Sequence, residues 1–145
     1  MKVYPNWFYP LLLLSLFTLV MTGLLLLPTT LTMRFEWDVF WQLSGGTRLA
    51  TVAGHTITSY LMLMMVGALS IIHMRAGVLR QKNQRSGFSL VAILFTLTLT
   101  GIGLFYLASD SLILLASTLH IIAGIAIVAV FTLHFVKNKR TNKFG

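Results

Sequence analysis

Hydrophobic residues fall in four long runs separated by short polar breaks. A hydrocarbon layer of roughly 30 Å takes about 20 apolar residues in a helix. The runs at about 8–27, 49–74, 88–108 and 112–136 all meet that length. Backbone in lipid must satisfy its own N–H and C=O groups, and continuous runs without alternation do so as helices. The pattern therefore predicts an all-α integral membrane protein. Its expected architecture is an up-down-up-down four-helix bundle, one transmembrane domain over residues 1–145. The first run is too long for the core of a signal peptide. No small-x-small cleavage pattern follows LLLLPTT, so it reads as a retained helix.

The connections carry their own pattern. The first, from Pro28 to Arg48, contains RFEWDVFW, whose Phe35, Trp37, Phe40 and Trp41 predict an aromatic belt or a short interfacial helix. Tyr4, Trp7, Phe8 and Tyr9 look like the matching belt on the other side. The Ser109–Asp110–Ser111 turn is so short that the third and fourth helices must be antiparallel neighbours, with Asp110 or Ser111 as N-cap.

Composition agrees with a membrane solvent. The chain is 57% hydrophobic and 10% charged, with a mean hydropathy of +0.85, against about a quarter charged in soluble domains. The net charge of +8 could signal nucleic acid, but the basic residues alternate with the spans, where they set topology. Lys2, the second connection (Arg75, Arg80, Lys82, Arg85) and the C-terminal tail (Lys137, Lys139, Arg140, Lys143) put nine basic residues and no acidic one on one side. Glu36, Asp38 and Asp110 all fall on the other. The positive-inside rule then places both termini in the cytoplasm of a multi-pass protein of a bacterial inner membrane. With no cysteine, disulfides, iron–sulfur clusters and thiol-attached haem are excluded.

An internal similarity divides the chain. FTLVMTGLLLL (Phe17 to Leu27) and FTLTLTGIGLF (Phe95 to Phe105) agree at six of eleven positions, including Thr22–Gly23 and Thr100–Gly101. Each copy precedes a connection and then a helix with two histidines. Two tandem helix pairs follow, both starting inside, as parallel repeats about the membrane normal.

The chain has four histidines, His55 and His73 in the second span and His120 and His134 in the fourth. At roughly 100° per residue, steps of 18 and 14 residues each return to one face. At 1.5 Å per residue they cover roughly 27 and 21 Å, nearly the hydrocarbon thickness. Both helices run from outside to inside, so His55 faces His120 at the outer level and His73 faces His134 at the inner one. Two facing imidazoles at each of two depths fit six-coordinate haem iron, as cofactors are held in bundle cores. Gly54, Gly124, Gly23 and Gly101 would leave room for the macrocycle, although close helix packing uses glycines in the same way. Arg48 and Arg75 are the candidate partners of the propionates, or serve topology alone. The unequal spacings are one turn apart and require unequal tilt or an irregular turn. Two rivals stand beside this reading: a small histidine-dependent proton or ion transporter, and a cofactor-free membrane anchor subunit. No Asp or Glu lies inside a span to extend a proton relay.

With GHTITSY and LSIIHMRAG around His55 and His73, TGIGLFY, and the His120-x13-His134 pair, the sequence resembles the small four-helix dihaem b-type cytochromes. These are related to the cytochrome b subunits of nickel–iron hydrogenases and formate dehydrogenases and to cytochrome b561-like proteins. The larger relatives draw ligands from another helix, so their ligand set does not transfer whole. The resemblance implies two b-type haems and electron transfer between a quinone pool and a redox partner subunit at the membrane surface. It implies a non-catalytic subunit of a respiratory oxidoreductase complex, surrounded by membrane lipid and without nucleic acid.

The charge pattern makes a direct prediction of orientation. Alkaline phosphatase fused after Gly145 will be inactive in a bacterial host, and the same reporter inserted in the connection between Pro28 and Arg48 will be active.

Overall fold

The computed structural model describes residues 5–69 and 84–141. Within them lie four helices: α1 (Phe8–Phe35), α2 (Gly45–Leu69), α3 (Gln84–Tyr106) and α4 (Asp110–Thr141). No strand occurs among the described residues. Each helix contains a stretch long and apolar enough to cross a membrane. Large apolar side chains stay exposed along them, Phe17, Leu24, Phe95, Ile102 and Ile125 among others. Such surfaces suit lipid and not water.

The chain divides into two compact units, α1 with α2 and α3 with α4. In the first, contacts run in reverse order along the two helices. Arg48 donates to the Met33 sulfur (3.3 Å), Thr22 meets His55, and Phe8 and Leu12 are buried in one cluster with Met62 and Met65. The pair is therefore antiparallel. In the second unit the seam of α4 is written in its burial: Ile113, Ala116, Ser117, Ala123 and Ile127 are buried, with half-buried His120 three residues from both Ser117 and Ala123. That is the spacing of one helix face. Gly103 admits α4 closely, since a Cβ there would stand 3.7 Å from the Ala116 Cβ and 3.0 Å from the Leu107 Cδ1.

The main departure from the sequence pattern is the end of α1. Pro28 was expected to open the first connection, yet the helix passes through it to Phe35. Proline removes the hydrogen bond to the Leu24 carbonyl. In lipid the backbone gains nothing by unwinding, because no water replaces the lost bonds. Hydroxyls also bind back around the site, Thr30 to the Leu26 carbonyl (3.1 Å) and Thr32 to the Pro28 carbonyl (3.2 Å). No interfacial helix forms over 36–44. The connection is irregular, with Trp37 and Phe40 exposed. It is pinned by Gln42, which donates to Thr32 (3.0 Å).

The other helix ends shift by a few residues. The α2 helix begins at Gly45, where the Ser44 carbonyl accepts the Arg48 N–H (2.8 Å). The α4 helix starts at Asp110, with the Ser109 carbonyl accepting the Ile113 N–H (2.9 Å). Ser109 thus holds the cap position expected for Asp110 or Ser111. Asp110 sits in the first turn, where its charge suits the helix dipole.

Helix α1 stops in a Schellman-type turn. The Trp37 N–H reaches the Leu31 carbonyl (3.3 Å), and Glu36 takes the left-handed conformation, φ 56° and ψ 28°. Glycine usually holds this position, because a Cβ there costs roughly 1–2 kcal/mol. Allowing for the extra freedom of glycine in the unfolded chain, Glu36→Gly should stabilise the protein by about 0.5–1 kcal/mol, while Glu36→Val should destabilise it. Thermal unfolding in detergent reads both.

Candidate functional site

Histidine in a lipid-facing helix needs a polar partner, since an unmet imidazole in hydrocarbon is costly. Both described outer histidines receive one from the preceding helix. In the first pair, Thr22 Oγ1 of α1 lies 2.8 Å from His55 Nδ1 of α2. In the second, Thr100 Oγ1 of α3 lies 2.8 Å from His120 Nδ1 of α4. The next residue repeats as well. A Cβ on Gly23 would stand 3.6 Å from His55 Cε1, and one on Gly101 would stand 3.5 Å from His120 Cε1. Each imidazole is thus clasped by a Thr-Gly pair, the threonine at its nitrogen and the glycine at its edge.

The threonines are themselves held in the same way. Thr22 Oγ1 donates to the Thr18 carbonyl at 2.7 Å, with the Leu19 carbonyl at 3.2 Å. Thr100 Oγ1 donates to the Thr96 carbonyl at 2.7 Å, with the Leu97 carbonyl at 3.2 Å. The internal similarity expected from FTLVMTG and FTLTLTG is therefore present as side-chain geometry. Each interhelical bond of this kind contributes about 0.6 kcal/mol in a membrane. Its larger effect is to fix the ring.

Depth repeats too. His55 lies ten residues beyond Gly45 and His120 ten beyond Asp110, the first residues of their helices (55 − 45 and 120 − 110). At 1.5 Å per residue both sit about 15 Å along. The two histidines thus stand equally far along their own helices.

The spacing of fourteen has a structural meaning. Ile113, His120, Ile127 and His134 stand at steps of seven on the α4 seam, with Ile113 and Ile127 buried. His134 is half-buried and continues this register. In the first pair the same register from His55 reaches Met62, which is buried, and then Leu69, which packs on the same cluster. Thr22 to Thr100 is 78 residues and His55 to His120 is 65, so Leu69 is the counterpart of His134 (134 − 65 = 69). His55 and His120 belong to the duplication, whereas His134 has Leu69 as its counterpart. His73 and Arg75 lie outside the described residues.

Of the four glycines singled out by sequence, two do one thing and two another. Gly23 and Gly101 face imidazoles, whereas at Gly54 and Gly124 a Cβ would meet nothing within 4 Å. Gly54 adjoins His55 and Gly124 follows His120 by one turn. Beside Thr100 an open groove of about 300 Å³ runs along the second pair, lined by Thr96, Leu99, Gly103, Leu112 and Leu115 among others. Arg48 is held only by the weak acceptor of Met33 among the bonds described here. Sequence reasoning named the glycines of the Thr-Gly pairs and passed over Thr22 and Thr100. The signal for them was the identity of the threonine in both copies.

Among the described residues no three His, Asp or Glu side chains gather as a metal cluster. No family model matches the chain, and neither does any curated protein or solved structure.

The clasp geometry predicts which substitutions it tolerates. Gly23→Ala and Gly101→Ala bring only ordinary contact with the rings, and alanine gains up to about 1 kcal/mol of helix propensity, so both should keep or raise thermal stability. Gly23→Leu and Gly101→Leu should displace the imidazoles and lower it.

Proposed function

We propose that the chain is a dihaem b-type transmembrane cytochrome, a subunit that carries electrons across the membrane. The observation that supports this most is the duplicated site: two clasped histidines, one per helix pair, at the same depth. A structural histidine has no need to recur in this form. His55 and His120 would ligate one haem, and His73 and His134 the other. This pairing comes from the depths and faces in the sequence.

The residues present suit the group. Glycine at 54 and 124 adds no side-chain bulk beside His55 or one turn from His120, and a Cβ at either would meet nothing within 4 Å. Neutral imidazole is a good ligand for iron. Arg48 and Arg75 supply positive charge for propionates at the two levels. The lone thioether partner described for Arg48 does not neutralise its guanidinium. When bound, the haems supply one-electron redox centres. The protein's part is to fix the ligands, exclude water and surround the site with low dielectric. The resemblance noted above extends the proposal to a quinone pool and a redox partner protein, in a bacterial inner membrane with both termini cytoplasmic.

A reduced-minus-oxidised visible spectrum of the purified protein, with a pyridine haemochrome count, tests this. Two haems per chain are expected. His120→Ala should remove about half and spare the inner haem. A preparation without haem bands would sink the proposal and leave the transporter or anchor readings.

A further inference from the structure

We propose that Thr22 and Thr100 are positioning residues that set the tautomer of His55 and His120, placing the proton on Nδ1 and the electron pair on Nε2. A threonine hydroxyl has one proton to give. In Thr22 it goes to the Thr18 carbonyl at 2.7 Å, and in Thr100 to the Thr96 carbonyl at 2.7 Å. The 2.8 Å contacts to the rings then run the other way, with Nδ1–H donating to Oγ1. Neutral imidazole carries one ring proton, so Nε2 is left as the basic nitrogen. The same bond lengths recur in both helix pairs, as does the longer branch to a second carbonyl at 3.2 Å. A chance side-chain rotation would not be repeated in all of these contacts.

Two consequences follow for a ligand role, and these rest on the haem reading above. First, the ring is aimed before any metal arrives, because Nδ1 is pinned, while the glycine leaves room for its Cε1 edge. Second, the acceptor is an uncharged hydroxyl. A carboxylate there would pull the Nδ1 proton and push the ligand toward imidazolate, whereas threonine polarised by its own bond to a carbonyl accepts more mildly. Both ligands assigned to the outer haem would have the same donor strength, because each is set by the same device.

The test begins without haem. The full chain, labelled with 15N-histidine and prepared haem-free in detergent, is studied at about pH 8, above the ordinary imidazole range. Two-bond 15N–1H couplings then report the tautomer of each ring. His55 and His120 should show Nδ1–H. Thr22→Val should shift His55 alone and Thr100→Val should shift His120 alone, with Thr→Ser restoring the parent pattern. Valine keeps the shape of threonine, so the seam packing persists, and unchanged circular dichroism verifies it. An Nε2–H tautomer in the parent, or valine variants with unaltered tautomers, overturns the proposal. In the haem-loaded protein, Thr22→Val and Thr100→Val should each raise the midpoint potential of the outer haem only, and serine should reverse the shift. An unmoved potential overturns the tuning role. A chain that shows the Nδ1–H tautomers but takes up no haem refutes the cytochrome reading and leaves the tautomer assignment standing.

Discussion

An imidazole inside hydrocarbon must be answered by another part of the protein, because no water is there to do it. That requirement organises both helix pairs. The answering group is a threonine hydroxyl on the preceding helix, which is itself tied to the carbonyl one turn back. Other hydroxyls of the described spans, such as Ser15, Thr58, Thr96 and Thr118, donate to a carbonyl of their own helix. Thr22 and Thr100 reach a neighbour as well. In doing so they set the register of α1 on α2 and of α3 on α4, and the burial of the seams follows from that register.

The two pairs share this clasp and differ beyond it. The 13-residue difference between the two offsets (78 − 65) all falls on the connection side of the threonines. From Gly23 to the end of α1 is 12 residues, and from Gly101 to the end of α3 is five; the connections that follow have nine and three residues. Seven extra helical residues and six extra connecting ones make up the difference. The Thr-Gly–His clasp is therefore the duplicated part, and the difference in length between the threonine and its histidine falls in the end of the first helix and the connection after it.

Much of this was legible in the sequence, and the exceptions have physical causes. Four helices, their order and their approximate spans follow from apolar run length, because lipid allows little else. Pro28 misled because proline ends helices in water, where the freed groups can be hydrated. The start of α2 was less visible, because Gly45, Gly46 and Thr47 carry the helix beyond its apolar run. The threonines were passed over because their chemistry depends on a contact across 33 residues in one pair and 20 in the other. A hydroxyl that usually binds its own backbone gives no sign from sequence that it also binds elsewhere. Glycine was the more visible half of each Thr-Gly pair.

The seven-residue steps of α4 also govern how its length can change. A single residue added between His120 and His134 would swing one imidazole about 100° around the helix, out of the seam held by Ile113 and Ile127. Four or seven added residues would return it to about the same face, since a step of four leaves it about 40° off and a step of seven about 20°. Insertions and deletions in this segment are therefore quantised, and composition between the histidines can vary more freely than length. In an engineered variant, the distance between the two levels would be adjustable in steps of about 6 or 10 Å.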